Sequence, residues 1–491
     1  MLVRCNQPQI KDLMQKKLQF ETKIQKSFNL KLHQKNTMEN LQIELIQSND
    51  NKKQHLQEKE MSTFGVLLRI IYISVAFILV FSANFTYQAL SSQIYDQQQF
   101  SYLGNITLFT FFLFESLNCT LTKHLQQFFT YRQMMWVSAA AITVNVSTGM
   151  WVQTCSDQIN QCLLCNKSLL YSFFILVAAI TGSVEGQMWV SVSGYIDIYC
   201  KKYPEKNELY FSTFFGVFQL VLVFGMGFAQ ISFYTTSLFA FYFGLALFAF
   251  VGFLMIFYLP DMMPENIKQQ KVEEVGLVSI FFSQETKKSI LHFLQYLKNE
   301  KTKQIFLFFI QSGFTVGFIM TLLYPSIQKS LGMPLDSSLL TEEQAKELNI
   351  KTTQVQLLLG FTEIAFYFFL GYVEKIIQGK YIIYFSFFSL WSSLICIGLT
   401  YAVESVFLCY LSGFLWGLAD CIYLNKSYSI CTYLLDGTIE SYSLFNFCYG
   451  IGILSMVILN IFIMPISFHL LLIILLCVSL ISYKQIKPLL Q

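Results

Sequence analysis

The chain has 491 residues, of which 54% are hydrophobic and only 13% are charged. Soluble domains carry about a quarter charged residues, so this composition excludes a chain that is mostly soluble. The net charge of +3 is too small to indicate a nucleic-acid partner. The sequence has no phosphate-binding loop, no dinucleotide-binding glycine pattern and no nucleophile elbow. Its five histidines are isolated. We therefore predict no enzyme activity, no cofactor and no bound metal.

Residues 1–64 are rich in Gln, Lys and Asn and precede all of the long apolar segments. They lack a positively charged start followed by an apolar stretch and a small-residue cleavage site, so they do not resemble a signal peptide. We predict a solvated cytosolic tail. Irregularly spaced apolar residues leave a partner-binding helix as the alternative.

About twelve apolar segments follow, each long enough to cross a bilayer. A hydrocarbon core of roughly 30 Å needs about 20 apolar helical residues, and a helix satisfies every backbone polar group within one segment. The predicted spans are 65–89, 103–121, 134–153, 169–191, 210–229, 237–259, 304–324, 354–373, 381–400, 406–424, 441–460 and 465–483. This pattern predicts an all-α integral membrane protein with two six-helix bundles, residues 65–259 and 304–483.

One charged stretch, residues 260–303, separates the two predicted bundles. Apolar residues recur around Lys287 and Lys288 within residues 278–297, which predicts an amphipathic helix at the cytosolic membrane surface. A regulatory docking site is the alternative. A short tail, residues 484–491, follows the last span. Six spans, a long central loop and six more spans are typical of secondary transporters of the major facilitator type.

Lys and Arg residues in the short loops predict the orientation of the chain, because cytosolic loops carry an excess of them. One side of the predicted bundle carries Lys123, Arg132, Lys201, Lys202, Lys206, Lys375, Lys380 and Lys426. The other side carries Lys167, Lys329, Lys346 and Lys351. We predict that both termini are cytosolic, in the plasma membrane or an endomembrane, with membrane lipids as partners.

The predicted outer loop between the third and fourth spans contains Cys155, Cys162 and Cys165. An extracytosolic compartment favours a disulfide between two of them, and the sequence leaves open which two pair. A zinc site is the weaker alternative, because no His lies nearby and a fourth ligand is missing. The sequon Asn166-Lys167-Ser168 makes Asn166 the candidate glycosylation site.

Equivalent spans of the two halves share short patterns, which indicates an internal repeat. The fourth span contains Gly182 three residues before Glu185, and the tenth contains Gly417 three residues before Asp420. Glycine pairs also recur in the fifth and eleventh spans, as Gly225 with Gly227 and Gly450 with Gly452. These glycines are predicted to allow close helix packing.

Acidic residues inside the predicted spans are the candidate functional residues. An ionised carboxylate there costs several kcal/mol unless it faces a polar cavity or a partner. Glu185 and Asp420 are therefore predicted to couple transport to protons or cations, and a packing role is the alternative. Glu115 and Glu363 form a second acidic set in the second and eighth spans. Gln219 is a candidate for the wall of the same cavity.

Several short elements carry a family resemblance. They are Asn84-Phe85-Thr86-Tyr87-Gln88-Ala89-Leu90-Ser91-Ser92, Gly186-Gln187-Met188-Trp189, Phe214-Phe215-Gly216-Val217-Phe218-Gln219 and Trp416-Gly417-Leu418-Ala419-Asp420. In these elements the chain resembles the uncoordinated-type (Unc-ninety-three-like) ion-channel-regulator family of the major facilitator superfamily. The resemblance extends from about residue 65 to residue 484. The loop at residues 123–132 lacks the glycine and aspartate of the superfamily's gating loop.

The resemblance implies two very different functions. Some members resemble regulatory subunits of potassium channels or trafficking chaperones, and others are presumed transporters. One hypothesis is therefore a transporter of a small solute, coupled to protons or cations. The other is a non-transporting scaffold that binds a channel or another membrane-protein client. A polar cavity that reaches both Glu185 and Asp420 favours the transporter, and a cavity filled by aromatic side chains favours the scaffold.

Overall fold

The computed structural model describes residues 63–156, 163–203, 206–262, 284–334, 339–373, 376–433, 435, 438–462 and 468–487. Nearly all of the predicted N-terminal tail lies outside these residues, as do Cys162 and the first part of the central loop. Every regular element in the described part of the chain is a helix. Residues Leu68–Gln491 form one compact unit, and the sites described below lie within it.

Twelve helical segments correspond to the twelve predicted spans. They are Thr63–Gln97, Leu103–Cys119, Tyr131–Cys155, Lys167–Lys202, Asn207–Phe218 with Leu220–Thr235, Leu238–Phe257, Glu300–Thr321, Glu342–Val373, Gly379–Val403, Val406–Tyr433, Ile439–Phe462 and Phe468–Ile486. We call them spans 1 to 12. By length and composition, eleven described helices are able to cross a membrane. The other is span 2, which has 17 residues and packs along span 4. The predicted all-α architecture is confirmed.

The observed helices extend beyond several predicted boundaries. Spans 1 and 4 have 35 and 36 residues, and at 1.5 Å per residue each is more than about 50 Å long. Span 8 begins at Glu342, about three turns before the predicted start. Thr341 and Gln344 exchange hydrogen bonds of 3.1 Å and 3.3 Å there, which is a capping box. Hydropathy alone does not detect such a start, because the first turns are polar.

Shorter helices lie on both faces of the bundle. Thr122–Leu125 connects spans 2 and 3, Gln284–Leu297 lies in the central loop, and Leu323–Ser330 follows span 7. The central-loop helix packs against Thr122–Leu125 and span 11. Its Phe293 contacts Phe447 with ring centroids 5.3 Å apart. The helix thus lies against the loop between spans 2 and 3.

Glycines determine how helices pack within each half. A Cβ atom at Gly182 of span 4 would lie 2.1 Å from the Phe111 carbonyl oxygen of span 2. In the second half, a Cβ atom at Gly417 of span 10 would lie 2.7 Å from the Leu359 carbonyl oxygen of span 8. Glycine therefore lets each fourth helix approach the backbone of the second helix in its own half.

One glycine of each pair in spans 5 and 11 permits close packing inside its half. The predicted close packing is wrong for Gly227, where the nearest described atom to an added Cβ would be 3.9 Å away. A Cβ atom at Gly225 would lie 2.2 Å from Thr86 Oγ1 of span 1. A Cβ atom at Gly452 would lie 2.2 Å from the Ile310 carbonyl oxygen of span 7. Each fifth helix therefore packs on the first helix of its half, so the internal repeat is visible in the contacts.

The two halves meet along two helix pairs. Spans 2 and 11 touch where a Cβ atom at Gly450 would lie 2.3 Å from Ser116 Oγ. Spans 5 and 8 touch where a Cβ atom at Gly360 would lie 2.9 Å from Leu222 Cβ. A buried apolar cluster from spans 2, 4, 7 and 11 forms the core at this junction, with members Leu108, Phe111, Phe112, Ala178, Met320, Ile453 and Val457.

We expect Gly182→Ala to destabilise the protein by about 1–3 kcal/mol, which is typical of overpacking. The new methyl group would overlap the Phe111 carbonyl, and spans 2 and 4 would have to separate. Gly227→Ala is the matched control, because its nearest neighbour would be Leu357 Cδ2 at 3.9 Å. Thermal unfolding of purified protein, followed by fluorescence, measures both variants. Equal midpoints would show that this close approach does not stabilise the fold.

Candidate functional site

A cavity of about 60 Å³ lies between the two halves. Spans 1, 4 and 5 form one side of it, and spans 7, 8, 10 and 11 form the other. The lining residues are Phe85, Ala89, Trp189, Phe215, Phe218, Gln219, Val221, Leu222, Val316, Ile319, Met320, Glu363, Asp420, Leu424, Tyr428, Phe445, Asn446 and Tyr449. Seven of these described residues are aromatic, two are acidic and none is basic. The cavity wall is therefore rich in aromatic rings, and any charge on its acidic side chains is negative.

The two acidic residues of the wall form a carboxyl pair. Glu363 of span 8 and Asp420 of span 10 are both buried, and their side chains hydrogen-bond each other. Among the residues that the structure describes, none donates a hydrogen bond to Glu363 Oε1. A hydrogen bond between two carboxyl groups requires that at least one of them carries a proton. At least one acid of the pair therefore carries a proton in this arrangement.

Span 7 holds this pair in place. The Thr315 hydroxyl donates a hydrogen bond to Asp420 Oδ1. Trp416 Nε1 in turn donates to the Thr315 carbonyl oxygen at 2.8 Å. The Trp416 ring stacks on Phe318 with centroids 3.8 Å apart. These contacts connect the backbone of span 7 to the acid on span 10.

The first half contains a matching acid pair, Glu115 and Glu185. Asn84 Nδ2 of span 1 donates to Glu185 Oε1 at 3.1 Å and to Oε2 at 2.9 Å. Glu115 interacts electrostatically with Glu185, and no residue in the described ranges hydrogen-bonds Glu115 Oε2. Neither acid is among the described residues that line the cavity. The structure therefore brings Glu363 and Asp420 together at the cavity and places Glu185 beside Glu115 instead.

The four acids occupy equivalent positions in the two halves. In each half, a glycine of the fourth helix lies against a backbone carbonyl of the second helix. One acid lies four residues after the residue that carries this carbonyl. The other acid lies three residues after the glycine. The first half has Phe111, Glu115, Gly182 and Glu185, and the second has Leu359, Glu363, Gly417 and Asp420. The helix contacts therefore align Glu115 with Glu363 and Glu185 with Asp420.

Contacts between the halves close the cavity towards the predicted outer face. Gln93 Nε2 of span 1 donates to Asn349 Oδ1 of span 8 at 2.9 Å, and both side chains are buried. Thr353 Oγ1 of span 8 donates to Gln230 Oε1 of span 5 at 2.7 Å. This face opens only if these hydrogen bonds between the halves break.

Aromatic contacts close the predicted cytosolic face. Phe215 of span 5 packs on Tyr428 of span 10 with centroids 4.3 Å apart. Further towards that face, Lys123 of the short helix Thr122–Leu125 forms an ion pair with Glu440 at the start of span 11. The two halves therefore touch each other on both sides of the cavity.

Neutral polar side chains complete the site. Gln219 lies between the two helices of span 5, and its Nε2 donates to no acceptor in the described part of the chain. Asn446 Nδ2 donates to the Tyr442 carbonyl oxygen at 2.9 Å. Sequence reasoning selected Gln219 but missed Asn446, and it missed Asn84 and Thr315 as partners of the acids. Single Asn and Thr residues in apolar spans carry no signal until the neighbouring helix is known.

The predicted outer loop is partly described. Cys155 and Cys165 form a disulfide with a sulfur–sulfur distance of 2.01 Å, and Cys162 lies outside the described residues. The Asn166 side chain caps span 4 by accepting a hydrogen bond from Ser168 N at 3.1 Å. Glycosylation of exposed Asn166 stays a prediction. In the described ranges, no group of three or more His, Cys, Asp or Glu residues is placed to hold a metal.

The chain matches no protein-family model and no curated protein. Its structure does resemble solved transporters. A mutant of the nucleoside transporter NupG superposes with a TM-score of 0.57 and 12% identity, covering 86% of this chain and 99% of that chain. The peptide transporter POT in complex with sulfate gives a TM-score of 0.58 and 13% identity, covering 87% and 96%. The chain therefore has the fold of major facilitator transporters, with two six-helix halves around a central cavity.

Proposed function

We propose that this protein is a secondary transporter that moves a small solute across its membrane by alternating access. In this proposal the Glu363–Asp420 pair couples solute movement to a proton or another cation. One observation carries the proposal: a cavity lies between the two halves, and two buried, hydrogen-bonded carboxyls form part of its wall. The nucleoside and peptide transporters of the same fold support it.

The acid pair can link a proton to the conformation because burial penalises ionised carboxylates. In the arrangement that the structure shows, both acids are buried. Opening one face would admit water and make proton release less costly. A solute that binds one state of the pair better than the other then shifts the equilibrium between the two open arrangements.

A non-transporting scaffold is the second candidate, either a regulatory subunit of a potassium channel or a trafficking chaperone. The resemblance to the uncoordinated-type family implies this role. The seven aromatic side chains of the cavity wall favour it too, because rings such as Phe215 and Tyr428 fill much of the space between the halves. The position of Glu185 also favours the scaffold, because Glu185 does not line the cavity whereas its repeat-related acid Asp420 does.

The proposal is tested with purified protein in liposomes. The liposomes contain a pH-sensitive dye, and proton and potassium gradients are imposed across their membrane. Neutral nucleosides, short peptides, monocarboxylates and organic cations are added in turn. We expect at least one class to drive proton or potassium movement in the wild type, and none in the Glu363→Gln, Asp420→Asn double variant. This variant keeps the side-chain shapes. Absence of flux with every class, from protein that unfolds cooperatively on heating, would overturn transport and favour the scaffold.

A further inference from the structure

We propose that the central cavity binds a small organic cation, with its ammonium group beside the Glu363–Asp420 pair and its alkyl groups against the aromatic wall. This inference rests on the proposed function and names its substrate class. It also assigns the coupling mode, because proton and organic cation would compete for the same carboxyls. The transporter would then exchange one for the other.

The charges of the wall favour a cation. The lining residues that the structure describes include two carboxyls and no Lys, Arg or His. When Glu363 and Asp420 share a single proton, the pair carries one negative charge, and a bound monocation would neutralise it. Glu363 Oε1 is buried, and no described residue donates a hydrogen bond to it, so the protein leaves part of the acceptor capacity of the pair unsatisfied. A solute anion would instead add a second negative charge to an apolar site.

The aromatic side chains favour an alkylated ammonium over other cations. Trp189 lies 5.2 Å from Phe218, and Tyr428 lies 4.9 Å from Phe445, between ring centroids. Rings grouped in this way recognise quaternary ammonium groups through cation–π attraction, in which Trp is the strongest partner. Rings from both halves would contact the same ligand, so its binding would depend on the relative position of the halves.

A divalent metal ion fits this wall less well. Hard cations such as Mg²⁺ and Ca²⁺ take six or more oxygen ligands. The polar lining is restricted to the acid pair, Gln219, Asn446 and the Tyr hydroxyls, and hydrocarbon surrounds it. An organic cation gives up fewer favourable contacts with water when it enters such a wall, because its alkyl groups are already apolar.

Choline and its uncharged isostere 3,3-dimethyl-1-butanol provide the test. Equilibrium binding of radiolabelled choline to purified full-length protein is expected to be saturable, to weaken as the pH falls, and to resist competition by the isostere. Phe218→Leu and Tyr428→Leu should weaken binding by about 3- to 30-fold, because they remove a ring but keep an apolar side chain. The Glu363→Gln, Asp420→Asn double variant should abolish it, because no carboxylate then remains at the cavity wall. Phe407→Leu, at a ring that is 71% exposed on the bundle surface, should leave binding unchanged.

The outcomes separate this inference from the proposed function. Absence of choline binding by protein that moves protons with another solute class would overturn the organic cation and leave the transporter standing. Equal competition by the isostere would also overturn it, since charge would then not matter. Choline binding that obeys the variant series, without solute-driven flux in liposomes, would support the cation site and overturn the transporter.

Discussion

Asp420→Asn and Glu363→Gln are each expected to reduce solute-driven proton flux in liposomes to the level of empty vesicles, because each removes one of the two carboxyls that share the proton. Both substitutions keep a hydrogen-bonding group of the same shape, but neither amide binds and releases a proton at the pH of the assay. Solute exchange without a proton gradient should survive, because the halves can still alternate around a bound solute. A pH-sensitive dye and a labelled-solute exchange assay on the same vesicles measure the two activities.

The first-half acids supply the matched control. Glu185→Gln and Glu115→Gln make the same chemical change at the repeat-related positions, but the cavity does not reach these acids. We expect coupled flux within about threefold of the wild type, together with lower thermal stability for Glu185→Gln, since its carboxylate accepts two hydrogen bonds from Asn84. Loss of coupling in Glu185→Gln alone, with Asp420→Asn active, would move the coupling site to the first half.

A cross-link between the halves at the predicted outer face is expected to stop transport completely and reversibly. The Gln93 and Asn349 side chains hydrogen-bond across the halves at 2.9 Å. Cysteines at both positions, joined by a short bifunctional thiol reagent, would hold this face closed. Alternating access needs the face to open in every cycle, so solute flux should fall to the level of empty vesicles. A cleavable reagent should allow flux to return after reduction.

A cross-link inside one half is the control for this experiment. Ser393 and Ser412 of spans 9 and 10 have their hydroxyl oxygens 2.6 Å apart, and both belong to the second half. Joining cysteines at these positions should leave flux unchanged, because each half moves as a body. Full flux through protein that is quantitatively cross-linked between positions 93 and 349 would contradict alternating access at this face.

The twelve helices could be predicted from hydropathy because the bilayer requires long apolar segments whatever their packing. The four acids could be selected for a similar reason, since charge inside a span is costly. Their arrangement could not. Glu185 and Asp420 have equivalent positions in the repeat, but only Asp420 lines the cavity, and this depends on how each helix is rotated against its neighbours. Hydropathy carries no information on that rotation.

The packed faces of spans 4 and 10 could also be predicted from the sequence, through the spacing of their glycines. Gly182 and Gly186 are four residues apart, as are Gly413 and Gly417, and such spacing is typical of helix contacts in membranes. A Cβ atom at Gly186 would lie 2.6 Å from the Glu115 carbonyl oxygen. The spacing alone therefore indicates the packed face of spans 4 and 10, although it does not identify the partner helix.

Distances between spin labels on the two halves test alternating access most directly. One pair is placed at positions 102 and 339 on the predicted outer face and another at 209 and 376 on the opposite face, where the native residues are exposed. Cys5, Cys162 and the exposed Cys477 are replaced by Ser. We predict that a change of pH, or the addition of choline, lengthens one of the two distances and shortens the other. Two distances that stay fixed under every condition would contradict the transporter and leave a rigid scaffold.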